Sequence, residues 1–440
     1  MEPASAAAPV LVRQAIREHR SGRLDVAADL YGRALAGSPG HPDALHLLGT
    51  LLLQRGDAVA AVPYAAKSVL VEPATAHAYN NLGLILKGAG QAAAAARCYL
   101  QATTIDPGYA EGHSNLGVVL KAEGQVALAI RHYRWALDLD PTVGEASNNL
   151  GNALAELGEL EEAVEAYLSA AEILSDSDTL HYNVGILLMR LDRRQDALVH
   201  LRRALELAPD RDDAAHLVAA LEGRTTVTAP RAFVRDLFDS YAERFDAHLV
   251  GELRYAAHRE TVSLLDDVAG DRRFALAYDL GCGTGLAGAL IRSRSGLLVG
   301  IDLSERMLLE AGRKLVYDSL VCADIDAALD EYDAAPDLVV ASDVFIHIGD
   351  LDPTVDRLAR RMAPGGLFAF SIERATDGLR WFLRASGRYA HGDRYIVETL
   401  ARHGFRLLAR RTAVLRHDRA ELIDGAVYLA VVPGDGGLPV

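Results

Sequence analysis

The sequence predicts an α + α/β chain, with an all-α superhelix of repeats in its first half and an open α/β sheet in its second. Two observations carry this. Ala27, Ala61, Ala95, Ala129, Ala163 and Ala197 recur every thirty-four residues, in step with Gly49, Gly83, Gly117, Gly151 and Gly185. Downstream, an apolar run from Phe274 enters Tyr278–Gly285, YDLGCGTG, and Leu286, Ala287, Ala289, Leu290 and Ile291 follow at once. The first pattern is the period of stacked helical hairpins. The second is a strand that passes through a tight glycine turn into a helix.

At 440 residues the chain exceeds one ordinary core, and half of its residues are hydrophobic, so two or more globular domains are expected. No apolar run reaches the roughly twenty residues of a membrane helix. MEPASAAAPV lacks the basic start of a secretory signal. Cys98, Cys282 and Cys322 form neither a disulfide framework nor a metal cluster, and a reducing cytoplasm is expected. Cys282 reads as a small buried thiol. A net charge of −15 argues against nucleic acid as a partner.

Leucine or valine precedes each repeat glycine (Leu48, Leu82, Leu116, Leu150, Val184). Tyr31, Tyr99, Tyr133 and Tyr167 follow four residues after their alanines, and Pro39, Pro73, Pro107, Pro141 and Pro209 close second helices. Small residues let the two helices of a hairpin approach, and large ones fill the gap. The pattern resembles the tetratricopeptide repeat, with six copies over residues 8–211. The first copy has Ala15 in place of the glycine, and Pro63 is expected at the tolerated start of its helix. Asn81, Asn115, Asn149 and Asn183 recur in phase on the first helices. They resemble the asparagine ladder of O-linked N-acetylglucosamine transferases, which implies a groove for a protein or peptide partner. Hydrogen bonding between adjacent repeats accounts for them equally well. The acidic cluster of Glu156, Glu159, Glu161, Glu162 and Glu165 reads as a solvated face.

Residues 212–230 read as a linker and 231–440 as the second domain. RAFVRDLFDSYAERFDAHLV, with Phe233, Leu237, Tyr241 and Phe245 at helical spacing, opens it. The glycines of YDLGCGTG permit positive φ and close approach of a ligand, and the helix behind them offers free N–H groups. A second apolar strand, Leu297–Ile301, ends at Asp302, where a carboxylate meets ribose hydroxyls. The turn reads GxGxG, without the GxGxxG spacing for a pyrophosphate, which points to a nucleoside without a diphosphate.

On these residues the domain resembles the class I S-adenosylmethionine-dependent methyltransferases, including bacterial ones with an N-terminal tetratricopeptide array and a GRYAH stretch (Gly387–His391). The resemblance implies a Rossmann-like, seven-stranded methyltransferase sheet and S-adenosyl-L-methionine as cofactor. It assigns Asp279, Gly281, Gly283 and Gly285 to the methionine end, Asp302 to the ribose, and Asp324 with Ile325 to the adenine. The opening segment resembles the lid of small-molecule and quinone methyltransferases, which brings Phe238, Tyr241 and Phe245 to the ligand.

Further strands are expected at Leu320–Cys322, Pro336–Ala341, Leu367–Ile372, Arg406–Val414 and Ala426–Val432, with Ser304 capping the helix after Asp302. Asp343 and His347 follow the fourth strand and Glu373 the fifth, so these three are the candidate catalytic residues. Tyr389, His391 and Asp393 are expected in a late loop over the pocket. Methyl transfer needs position above all, and a base only when the nucleophile carries a proton. Three functions follow: methylation of a polypeptide held by the array, methylation of a small molecule with the array docking a partner, or an adaptor with an inactive domain. No metal ligand set is read.

Overall fold

The computed structural model describes residues 4–239, 242, 245–246, 255–376, 378–418 and 421–434. The chain divides into two compact units, Met1–Leu207 and Ala208–Val440. Tyr241 lies outside the described residues.

In the first unit, six consecutive helical hairpins follow the repeat: α1 (Ala4–Arg20) with α2 (Leu24–Gly37), α3 (Pro42–Gln54) with α4 (Ala58–Val71), α5 (Ala76–Gly88) with α6 (Ala92–Ile105), α7 (Ala110–Ala122) with α8 (Val126–Leu139), α9 (Gly144–Leu157) with α10 (Leu160–Ile173), and α11 (Asp178–Arg190) with α12 (Arg194–Leu207). The repeat glycine is the contact point inside a hairpin. A Cβ on Gly83 would stand 2.5 Å from the Tyr99 ring, one on Gly117 2.6 Å from Tyr133, and one on Gly151 2.8 Å from Tyr167. These rings are buried. In the last hairpin Leu201 takes the place of the ring, 2.6 Å from a Cβ on Gly185.

The turn between the helices of a hairpin uses a left-handed residue: Gly22, Gly56, Gly90, Gly124 and Gly158, then Asp192 with φ of 58°. Asparagine and aspartate tolerate that region better than other L-residues. Pro63 departs from expectation. It is the sixth residue of α4, past the first turn, and its missing N–H frees the carbonyl of Val59. Val59 is exposed, so water can take that carbonyl.

The second unit begins with an ordered segment where a linker was expected. α13 (Asp212–Leu221) buries His216, Leu217 and Val218. Thr225–Ala229 then runs in hydrogen-bonded contact with the domain: Gly349 and Asp350 donate to the Val227 carbonyl at 2.9 Å, and Ala229 donates to that of His347 at 3.0 Å. α14 (Arg231–Asp239) and α15 (Ala257–Ala269) precede the sheet.

The strands are β1 (Phe274–Leu280), β2 (Ser295–Asp302), β3 (Ser319–Cys322), β4 (Leu338–Ala341), β5 (Leu367–Glu373), β6 (Trp381–Leu383), β7 (Tyr389–His391), β8 (Arg406–Asp418) and β9 (Glu421–Val431). The intervening helices are α16 (Leu286–Ile291), α17 (Glu305–Arg313), α18 (Ile325–Glu331), α19 (Asp352–Arg361) and α20 (Asp393–Arg402). Seven strands form one sheet in the order β3-β2-β1-β4-β5-β9-β8, parallel from β3 to β5 and antiparallel at β9 and β8. This is a Rossmann-like methyltransferase fold. β4 and β5 are buried throughout, because helices cover both faces of a parallel sheet. The strand order reverses between β1 and β4, which opens a crevice at their carboxyl ends.

β6 and β7 form a separate two-stranded ribbon that sequence reading left as a loop. Tyr389 and His391 are therefore buried structural residues. The Tyr389 hydroxyl bonds Thr226 at 2.5 Å, and His391 Nε2 bonds the Ile348 and Gly349 carbonyls at 2.9 and 3.0 Å. Asp393 opens α20 and is paired with Arg374 and Arg410. No helix among the described residues is long and apolar enough to cross a membrane.

Candidate active site

The glycine turn after β1 has φ of 61° at Gly281, 53° at Gly283 and 89° at Gly285. Each glycine leaves room for something different. A Cβ on Gly281 would meet Val344 at 2.4 Å, which locks the turn to the segment after β4. Gly285 and the following Gly288 make room for Tyr317, whose ring would stand 2.9 Å from a Cβ on the first and whose hydroxyl oxygen would stand 2.2 Å from one on the second. Gly283 faces only the Phe245 ring edge, at 3.8 Å.

Tyr317 has no motif around it, and sequence reading passed over it. Its hydroxyl donates to Asp279 at 2.7 Å, and Gly288 N–H donates to the same carboxylate. Asp279 is 1% exposed, so it braces the turn from beneath and does not present itself to a ligand. Burial pushes its carboxyl up to about 7, against the pull of both donors. Burial also holds the Cys282 thiol well above its ordinary value.

Asp302, at the end of β2, accepts from Gly283 N–H at 2.8 Å and Ser304 N–H at 2.9 Å. Burial raises its carboxyl, and these two donors oppose the rise. A carboxylate has about four acceptor positions, so capacity for hydroxyl donors remains. Asp324 caps α18 and accepts from Arg231 at 3.0 Å; all of these bonds reach Oδ1 and leave Oδ2 available. Ile325, next to it, packs half-buried on the domain core.

Three described residues of the opening segment contact these strand ends in order. Arg231, at the start of α14, holds Asp324 after β3. Asp239, at its end, accepts from the Ser304 hydroxyl after β2 at 2.5 Å. Asp246 then bonds Thr284 in the glycine turn and Lys314, the latter at 2.6 Å. Phe245 meets Phe238 edge-on, and Phe238 meets His347 edge-on, with centroids 6.1 and 5.4 Å apart. An aromatic line thus runs from the glycine turn to the segment after β4.

The three candidate catalytic residues occupy different situations. Asp343 has φ of 61° and is held by both its oxygens to Arg416 Nη1 at 2.8 Å. Glu373 is 1% exposed, bonded to Arg416 Nη2 and paired with Arg384 at 3.0 Å. Both carboxylates are tied to guanidinium groups and do not serve as free bases. His347 is buried, and neither ring nitrogen has a hydrogen-bonding partner among the described residues. Burial, then the charges of Arg388 and Arg416, push its pKa down to about 3, so it stays neutral. Arg416 itself is 2% exposed. Sequence reading ended its strand at Val414; a register shift between Val414 and Arg416 carries β8 onward and turns this side chain inward.

In the repeat unit, Asn81 bonds the ring of His46 in the preceding hairpin at 3.1 Å and His77 at 3.0 Å. Asn115 donates to Asn80 at 2.9 Å. Two of the four therefore tie adjacent repeats together. Asn149 and Asn183 are half-buried and have no hydrogen-bonding partner among the described residues.

Residues 278–370 match the methyltransferase domain family, and residues 19–82, 76–109 and 114–178 match tetratricopeptide repeat families. The chain carries tetratricopeptide repeats followed by a methyltransferase domain. That domain is similar to a malonyl-[acyl-carrier protein] O-methyltransferase of Enterobacter lignolyticus, 35% identical over 28% of this chain and 50% of that one. It is 36% identical to a trans-aconitate 2-methyltransferase of Methylobacterium radiotolerans over 29% of this chain and 51% of that one. A ubiquinone biosynthesis O-methyltransferase of Idiomarina loihiensis is 32% identical over 21% of this chain and 40% of that one. The chain thus spans about half the length of these relatives, or less. Among the described residues of the methyltransferase domain, no group of three or more histidine, cysteine or acidic side chains is arranged to hold a metal.

Proposed function

We propose that this chain is an S-adenosyl-L-methionine-dependent O-methyltransferase acting on a small acceptor, with the repeat array docking a protein partner. The carrying observation is that Arg231, Asp239 and Asp246, in the segment before the sheet, reach Asp324 after β3, Ser304 after β2 and Thr284 with Lys314 beside the glycine turn. This reading puts a nucleoside sulfonium at the same strand ends. Gly283 offers unfilled backbone for the methionine end, Asp302 spare acceptor positions for ribose hydroxyls, and Asp324 Oδ2 an acceptor for the adenine amino group. When bound, this cofactor supplies an activated methyl group, and the protein's part is alignment with the acceptor.

A small acceptor is supported by the two relatives named for trans-aconitate and for ubiquinone biosynthesis, while the third is named for a malonyl group borne on a carrier protein. A polypeptide acceptor is the second reading, favoured by the unpaired amides of Asn149 and Asn183. The test incubates the full chain with cofactor labelled in the methyl group and a bacterial extract, then separates protein from small molecules. Label in the small-molecule fraction, equal for wild type and an Asn149→Ala/Asn183→Ala double variant, supports the first reading. Label in protein that falls with the double variant replaces it with the second.

A further inference from the structure

We infer that Arg416 is a positioning residue for the cofactor: it grips Asp343 in a left-handed backbone conformation and so seats Val344 against the glycine turn. This rests on the reading of that turn as the cofactor site.

Among the described residues, three that are not glycine have positive φ: Asp192, Leu315 and Asp343. Asp192 and Leu315 are exposed. Asp343 is not in such a turn. It follows β4 at the carboxyl edge of the sheet, and its side chain is 15% exposed. An L-residue with φ of 61° crowds its Cβ against its own backbone, and it stays there only where the surroundings hold it.

Two groups supply the hold. Ser371 Oγ, on the buried strand β5, accepts from Asp343 N–H at 2.8 Å. Arg416 Nη1 donates to both carboxylate oxygens of Asp343 at 2.8 Å, while Nη2 donates to Glu373 at the end of β5. One guanidinium therefore spans the ends of β4 and β5, which its planar fork allows and a single ammonium does not. Arg416 is fixed in its turn. Ala256 N–H donates to the carbonyl of the neighbouring Leu415 at 2.8 Å, and a Cβ on Gly425 would collide with the Leu415 side chain. The irregular stretch of β8 that turns Arg416 inward is thus pinned from both sides.

The link to the cofactor is the next residue. The Val344 side chain fills the space that a Cβ on Gly281 would need, and Gly281 is the first glycine of the turn. A change of φ at Asp343 redirects the chain immediately beyond it, so Val344 cannot keep this contact if Asp343 relaxes to negative φ. Three residues past Val344, His347 meets Phe238, so the same corner also places the aromatic line over the strand ends. Arg416 performs a second service, neutralising two carboxylates that are little exposed, and the two roles predict different behaviour.

The experiment measures the affinity of the full chain for S-adenosylhomocysteine by calorimetry. Failure of the unaltered chain to bind overturns the cofactor reading and the inference with it. Asp343→Ala and Asp343→Gly both delete the carboxylate and leave Arg416 with Glu373; only glycine adopts positive φ without strain. Asp343→Ala is expected to bind about tenfold more weakly than Asp343→Gly, a difference of about 1.4 kcal/mol. Arg416→Lys keeps the charge, loses the fork and should also bind about tenfold more weakly than the unaltered chain. Adding Asp343→Gly to it recovers most of that loss, and adding Asp343→Ala does not. Equal affinities for the glycine and alanine variants would mean that charge balance alone is at stake; this refutes the inference and leaves the cofactor reading standing. Undiminished affinity in Arg416→Lys refutes it as well. If circular dichroism shows Arg416→Lys unfolded, the two Asp343 variants with native Arg416 decide the matter by themselves.

Discussion

Tyr317→Phe tests how the glycine turn is braced. The change removes one hydroxyl and leaves the ring that fills the space beside Gly285, Gly288 and Gly300. What is lost is the 2.7 Å bond to Asp279, a carboxylate 1% exposed. Burial lifts that carboxyl from 3.8 to about 7. A group whose folded pKa lies above its unfolded one holds its proton longer in the folded state. Stability therefore falls as pH rises from about 4 to about 7, then levels off. At pH 8 the folded state contains a buried carboxylate, and losing its donor costs about 1.5–3 kcal/mol. At pH 5 the same carboxyl is protonated, and a neutral bond is lost, worth about 0.5–1.5 kcal/mol. The two figures differ by about 1–1.5 kcal/mol, which is a further rise of about one unit in the pKa of Asp279. The assay is urea unfolding at both pH values in a Trp135→Phe background, so that Trp381, the other of the two tryptophans, reports the methyltransferase domain. Equal losses at pH 5 and pH 8 would refute the reasoning, since they would mean that Tyr317 does not sense the charge on Asp279.

Asp302→Ala removes the acceptor of two backbone N–H groups along with the expected ribose contact, and affinity for S-adenosylhomocysteine by calorimetry should fall about 100-fold, roughly 2.7 kcal/mol. Gly117→Ala forces a Cβ to within 2.6 Å of Tyr133, and overpacking of about 1–3 kcal/mol outweighs a helix-propensity gain near 1 kcal/mol. Gly32→Ala, at an exposed position of α2 with nothing within 4 Å, should instead stabilise the array by about 1 kcal/mol in the same melts. His132 stacks on His113 with its pKa pushed down to about 4 by burial, then by His113 and Arg131, while the unfolded chain protonates near 6.5. The array should therefore lose stability as pH falls from about 6.5 to 4, by at most about 3.4 kcal/mol, and His132→Gln should flatten that slope in unfolding curves.

Much of this architecture was legible because it rests on local rules. The thirty-four-residue spacing of alanines and glycines is the hairpin contact itself, and it is visible in Gly83, Gly117 and Gly151 before any ring is placed against them. The seven strands of the main sheet were legible as apolar runs, two of which end at Asp302 and Glu373. What the sequence hid depends on distant partners. Tyr317 lies in a loop without periodicity, and only the folded chain brings it to Asp279, thirty-eight residues earlier. Arg416 reads as a solvent-facing strand residue until the register shift turns it inward to Asp343 and Glu373. The carboxylates themselves were found, but their availability was not, because a guanidinium seventy-three residues from Asp343 decides it. The β6–β7 ribbon escaped notice because its strands are three residues each, too short for alternation to show.

The glycine–tyrosine contacts have an evolutionary consequence. Gly83 meets Tyr99, Gly117 meets Tyr133 and Gly151 meets Tyr167, each pair sixteen positions apart along the chain. Because each pair closes inside its own hairpin, duplication or loss of one thirty-four-residue unit leaves every other pair intact. Copy number can therefore change in whole units without any compensating substitution at these contacts. The array behaves as a ruler graduated in whole repeats, and its length is open to selection independently of the chemistry encoded downstream.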